Sequence, residues 1–162
     1  MIARGDRGHR KRSAITMKTY DIDSTYRQVY VADQKLEPSA PEDWTEEHVE
    51  QRHYTLGHIV ALCPVSDIVA RITSYGPNET AVESEDRPDF EVVTEIEIPS
   101  GQIGVYGWPW ELQDSYVVAP GKARIRFRGF RTADVDEGLD YYTIEIQEAE
   151  QGDAPQPRNG AF

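Results

Sequence analysis

The chain has 162 residues, the length of one domain able to bury a core, and its 29 acidic against 17 basic side chains give a net charge of −12. That balance repels phosphates, so it disfavours direct nucleic-acid binding by the folded part and favours a basic protein partner. No stretch approaches the ~20 apolar residues that span a bilayer, and the N-terminus lacks the apolar core of a secretory signal, so no membrane role is expected.

Residues 1–16 carry Arg4, Arg7, Arg10, Lys11 and Arg12 against Asp6 and have no hydrophobic period, so they are expected to be a disordered basic leader. A single domain is expected over residues 17–150. Gln151–Phe162 mixes Gly152, Pro155, Pro157 and Gly160 with polar residues and is expected to be a disordered tail.

Within the domain, Tyr26–Ala32 is the first strand candidate. Asp43–Arg52 then breaks the strand pattern: Asp43 is placed to cap a helix, Glu46 to complete a capping box, and the acidic first turn suits the positive end of the helix dipole. Its apolar face is thin, with Trp44 and Val49 as the residues to dock it, so the helix is expected to lie on the sheet surface.

His58–Leu62 and Ile68–Tyr75 read as strands. Phe90–Ile98 alternates most clearly, with Phe90, Val92, Thr94, Ile96 and Ile98 on one face and Glu91, Glu95 and Glu97 on the other. Gln102–Tyr106 and Tyr116–Ala119 follow. Ala123–Phe130 then sets Ala123, Ile125 and Phe127 against Arg124, Arg126 and Arg128, and Tyr142, Ile144 and Ile146 repeat the alternation. About eight short strands separated by Pro- and Gly-bearing turns predict an all-β, antiparallel sandwich with one short peripheral helix. The glutamates and arginines of the two longest strands are expected to pair across the sheet, each pair contributing roughly 0.2–1 kcal/mol.

Few residues point to catalysis. His48, His53, His58 and Cys63 recur every five residues, a spacing that matches no common zinc site, so no metal or other cofactor is expected. The lone Cys63 lies in an apolar run without a basic neighbour in sequence. It reads as an inert thiol rather than a nucleophile, and suits a reducing cytoplasm. No pair of carboxylates stands out as acid and base, and no glycine-rich phosphate loop is present, so the chain is read as a non-enzyme.

Acid concentrates in three connecting segments: seven residues in Asp33–Glu50, five in Glu79–Asp89 and four in Asp134–Asp140. Together they would form a negative surface able to dock a basic groove. The partner-binding residues expected on this reading are Trp44, Glu46, Glu47, Glu50, Glu83, Glu85, Asp86 and Trp108. Gly107-Trp108-Pro109-Trp110 supports an alternative, a small-molecule or glycan-binding sandwich that stacks ligands on Tyr106, Trp108 and Trp110.

Thr25-Tyr26-Arg27-Gln28-Val29-Tyr30-Val31, then Asp43-Trp44-Thr45-Glu46-Glu47-His48-Val49-Glu50-Gln51, resemble the competence protein J family, the DNA-entry nuclease inhibitors. Ile98-Pro99-Ser100-Gly101 and Ala119-Pro120-Gly121-Lys122-Ala123-Arg124 fall in the order that resemblance requires, extending it over residues 19–147. The resemblance implies a small cytoplasmic protein that binds and silences a partner nuclease. It implies no catalytic residues.

Overall fold

A computed structural model describes residues 18–149; the expected leader and tail lie outside the described residues. Ten strands run β1 (Lys18–Ser24), β2 (Val29–Asp33), β3 (His53–Leu56), β4 (Ile59–Leu62), β5 (Ile68–Tyr75), β6 (Phe90–Ile98), β7 (Gln102–Gly107), β8 (Glu111–Val117), β9 (Gly121–Phe130) and β10 (Tyr141–Glu148). They form two five-stranded sheets, ordered β1-β5-β10-β9-β6 and β3-β4-β2-β7-β8.

The sandwich is all-β, as the alternation predicts. β6 has the predicted bounds, and the predicted inward faces of β6 and β9 are the buried ones, with Ala123, Ile125 and Phe127 fully buried. Two strands add to the expected count. β1 sends Tyr20, Ile22 and Ser24 inward, and β3 returns the chain after the helix. The first sheet is also mixed, because β10 pairs antiparallel with β9 and parallel with β5.

Between the sheets, Val29, Val31, Val60, Leu62, Ile103 and Val105 meet Ile22, Ala70, Ile72, Val92, Ile125, Phe127, Tyr142 and Ile144. Each Val, Leu, Ile or Phe among them, removed fully from water, stabilises the fold by about 1.5–3 kcal/mol before conformational entropy is subtracted.

The two outer faces differ. The first sheet turns charge outward: Arg128 and Arg126 reach Glu91 at 3.1 and 3.3 Å, and Arg124 reaches Glu95 at 3.5 Å. The expected cross-strand pairing is present except at Glu97, whose register partner is Lys122 and which makes no ion pair among the described residues. The second sheet is apolar on its outer face too, where Tyr30, Ala32, Ile59, Ala61 and Tyr106 are covered by Ala40, Trp44, Trp108 and Trp110.

At one flank the sheets join. The Glu97 N–H donates to the Gly57 carbonyl at 2.9 Å, the Thr55 and Thr94 hydroxyls meet at 2.8 Å, and His58 Nδ1 meets the Glu97 carbonyl at 3.0 Å. At the other flank Lys18 of β1 reaches Asp114 of β8 at 3.2 Å.

The helix, α1, is shorter than expected and spans Glu46–Gln51. Thr45, not Asp43, is the N-cap: its Oγ1 accepts the His48 N–H at 3.3 Å. His48, not Glu46, completes the box, its Nδ1 accepting the Thr45 N–H at 3.1 Å. Arg52 ends the helix in the left-handed conformation at φ 65°, its N–H shared by the His48 and Val49 carbonyls. Trp44 docks on the sheet as expected, whereas Val49 is 61 % exposed.

Candidate functional site

Strand register gathers the site. Val29 opens β2 opposite Leu62 at the end of β4, and Leu62 lies opposite His53 at the start of β3. Residues just before β2, just after β4 and just before β3 therefore share one end of the second sheet. A cleft of about 430 Å³ lies there, with Tyr26, Arg27 and Gln28 on one wall and Trp44, Val49 and Glu50 on the other. A second hollow of about 440 Å³ shares Trp44, Val49 and Glu50 and adds Glu46, so the two form one groove along α1.

The first wall is a tight turn under strain. Tyr26 and Arg27 have φ of 64° and 58°, a left-handed region unfavourable for side chains with a Cβ. Two carboxylates hold it: Asp23 Oδ1 accepts the Thr25 hydroxyl at 2.6 Å and its N–H at 3.0 Å, and Asp67 Oδ1 accepts the Tyr26 N–H at 3.1 Å. The Thr25 hydroxyl and N–H keep the Asp23 carboxyl below its ordinary pKa. The turn leaves Tyr26 68 % exposed, with Trp108 against its ring edge at 5.2 Å.

Trp108 reaches Tyr26 because β7 ends in Gly107. A Cβ there would stand 2.7 Å from Ile22 Cγ2 and 3.0 Å from the Asp23 carbonyl. The absence of a side chain lets the Trp108 N–H donate to that carbonyl at 2.8 Å. Trp108–Pro109 is a cis peptide.

The floor is fixed from below. Tyr30 donates its hydroxyl to Gln28 Oε1 at 2.7 Å, and burial pushes that phenol up to about 12, with the charge of a nearby Cys63 thiolate adding to it. The Tyr142 hydroxyl accepts the N–H groups of Val65 and Ser66 at 2.9 and 3.2 Å and donates to Asp140, pinning the segment that follows Cys63. Burial also pushes the Cys63 thiol up to about 11, although the Arg52 guanidinium pulls the other way. Cys63 thus does have a basic neighbour, brought by β3–β4 pairing rather than by sequence, but the thiol stays protonated near neutrality. Arg52 is otherwise engaged, its guanidinium 4.5 Å from the Phe90 ring centre and donating to the Cys63 carbonyl at 3.4 Å.

Of the eight residues expected to bind a partner, Trp44, Glu46 and Glu50 line the groove, Glu47 lies beside them on α1, and Trp108 joins through Tyr26. Glu46, Glu47 and Glu50 are exposed and make no ion pair among the described residues. Glu83, Glu85 and Asp86 are elsewhere. Their loop crosses the outer face of the first sheet over Arg126 and Arg128, and Asp86 accepts the Tyr141 hydroxyl.

The three acidic segments do not share one surface: the loop of Glu83–Asp86 meets the Asp134–Asp140 region through Asp89–Thr132 and Asp86–Tyr141, away from α1, and folding uses some of the acid. Asp33 is fully buried, Asp89 accepts from Thr132, Asp134 pairs with Arg131, and Asp140 holds Tyr142. Sequence reasoning also missed Tyr26, Arg27 and Gln28 as groove residues. Their only sequence signal is the resemblance segment that contains them.

The histidines are each bound locally: His48 stacks on Tyr54 with ring centres 3.7 Å apart, His53 Nδ1 meets the Gln51 carbonyl, and His58 Nδ1 meets that of Glu97. No cluster of three or more potential metal ligands forms among the described residues. Tyr106, Trp108 and Trp110 do not share an exposed face either, since Tyr106 is 5 % exposed beneath the stacked Trp110.

No family model matches the chain, and no curated protein does. Among solved structures, the chain superposes on ComJ from Bacillus subtilis, described as the inhibitor of the DNA degrading activity of NucA. The TM-score is 0.66 at 16 % identity, over 83 % of this chain and 98 % of that one. The fold is ComJ-like. A second neighbour, described as crocagin biosynthetic gene J, matches over the same shares with a TM-score of 0.53 at 10 % identity. In the ComJ-like fold, no helix among the described residues is long and apolar enough to cross a membrane.

Proposed function

We propose that the chain is a cytoplasmic binding protein that inhibits a partner nuclease. One observation carries the reading. The two segments that resemble the competence protein J family, residues 25–31 and 43–51, lie apart in sequence, yet residues 26–28 of one and Trp44, Val49 and Glu50 of the other line one cleft. The ComJ-like fold supports it, and ComJ itself is described as a nuclease inhibitor.

Mechanically, such a protein needs no chemistry of its own. Trp44, Tyr26 and Trp108 supply rigid aromatic area of the kind that anchors interfaces, and Glu46, Glu47 and Glu50 supply charge that a phosphate-binding surface attracts. Binding there would deny the nuclease its substrate. Glu83, Glu85 and Asp86, on the opposite outer face, form no part of this surface.

The test has two stages. Proteins retained from the source cytoplasm at low salt and released near 1 M salt, where charges are screened within about 3 Å, are identified. Each is then assayed for DNA degradation with and without the purified chain. Stoichiometric loss of degradation supports the reading, and a retained nuclease that is unaffected by the chain overturns it.

A further inference from the structure

Resting on that reading, we propose that the groove between the Thr25–Arg27 turn and α1 takes a single arginine or lysine side chain from the partner. Its aliphatic stem lies on Tyr26, Trp44 and Val49, and its cationic head sits at Glu46 and Glu50.

Three features point to this occupant. The walls offer aromatic faces beside exposed aliphatic surface, the combination that suits a long basic side chain, which buries its stem and keeps its head polar. Carboxylates at positions 46 and 50 are one helical turn apart, so both border the same groove, and folding leaves them unpaired among the described residues. Arg52 also lines the cleft and keeps its charge, but its guanidinium is turned onto Phe90 and the Cys63 carbonyl and makes no ion pair with Glu46 or Glu50.

Arg27 then sets the limit. It stands on the opposite wall, and like Arg52 it makes no ion pair among the described residues, so a second positive charge on the occupant would be repelled by both. The groove therefore reads one basic side chain rather than a polybasic run. The strained Tyr26–Arg27 backbone, tied down by Asp23 and Asp67, keeps this wall in place before the partner arrives, which lowers the cost of ordering on binding.

The two polar walls make opposite predictions, which separates recognition from a structural role. The probes are capped pentapeptides of glycine with a central arginine, leucine or glutamate, titrated into the full chain. The readouts are the Trp44 indole N–H and Tyr26 resonances, with sedimentation run in parallel. The arginine peptide is expected to shift both signals and to bind more tightly than the leucine or glutamate peptide. Glu50→Gln should weaken it about fivefold and Arg27→Gln should tighten it by a similar factor. Damage to the fold would weaken both.

Preference for the glutamate peptide, no shift at Trp44 or Tyr26, or the same direction of change in both variants would overturn the proposal. So would sedimentation showing a second copy already seated in the groove. The peptides also separate this proposal from the inhibitor reading. A nuclease inhibited equally by the chain, Glu50→Gln and Arg27→Gln refutes the groove assignment alone. Peptide binding as described, without any inhibited nuclease, supports the groove assignment and refutes inhibition.

Discussion

Removing the Asp33 carboxylate is expected to be among the most damaging polar substitutions in the chain. Asp33 ends β2 fully buried, and its Oδ1 accepts the Ser100 hydroxyl at 2.8 Å and the N–H groups of Lys35 and Leu36 at 2.9 and 3.0 Å. Its Oδ2 accepts the Ser100 N–H at 3.0 Å. It thereby ties the β6–β7 turn to the segment leading to Trp44. Hydrogen bonds to a charged group contribute about 1.5–3 kcal/mol each. Because Lys35, Leu36 and Ser100 are exposed and their donors can rehydrate, Asp33→Ala should cost about 3–5 kcal/mol in all. In a domain of this size that lowers Tm by roughly 10–20 °C. Asp33→Asn keeps the Oδ1 acceptor but turns an amide donor toward the Ser100 N–H, so its cost should be smaller, about 1–3 kcal/mol.

Burial pushes the Asp33 carboxyl up, but the hydrogen bonds from Ser100, Leu36 and Lys35 outweigh it and hold the group below its ordinary range. With the folded pKa lower than the unfolded value of about 3.9, the stabilisation is complete above that value and is lost as pH falls through the folded one. Circular-dichroism melts at neutral pH and below about pH 4 would therefore show the gap between native chain and Asp33→Asn narrowing with acid. An Asp33→Ala protein that melts with the native chain, or a gap indifferent to pH, would refute the reasoning.

Three further outcomes are expected. Iodoacetamide should alkylate Cys63 about 10²-fold more slowly than a free thiol at pH 8, accelerating toward pH 11, as mass spectrometry of the intact chain would show. His48→Ala removes the acceptor that caps the Thr45 N–H and should cost about 1–2 kcal/mol in urea unfolding, while His48→Gln, which retains an acceptor, should cost less. Gly129→Ala would place a Cβ 2.5 Å from Phe90 Cζ and should lower the urea midpoint by the equivalent of about 1–3 kcal/mol.

β6 and β9 are legible in the sequence because each places large aliphatic or aromatic residues on every second position opposite charge. β1 escapes because Ile22 is the one aliphatic residue on its inner face, beside Tyr20 and Ser24. The helix start is ambiguous in the sequence because Asp43 and Thr45 can both cap. Thr45 wins through the side chain of His48, which is stacked on the Tyr54 ring. The acidic surface escapes the sequence for a different reason. Composition cannot separate a carboxylate that faces water from one, such as Asp33, that folding uses as an acceptor for the backbone. The groove itself needs residues 26 and 44 side by side, and that proximity comes from the order β3-β4-β2, which no local pattern encodes.

The stitching of both flanks bears on how such a molecule keeps company in a crowded cell. Sheet edges ordinarily invite a stranger's backbone, because main-chain hydrogen bonds supply much of the affinity of strand addition. Here the Glu97 backbone of β6 is taken by Gly57 and His58, and the Lys18–Asp114 ion pair sets charge between the β1 and β8 edges, a feature that discourages strand addition. Such edges discourage promiscuous self-adhesion even at high abundance.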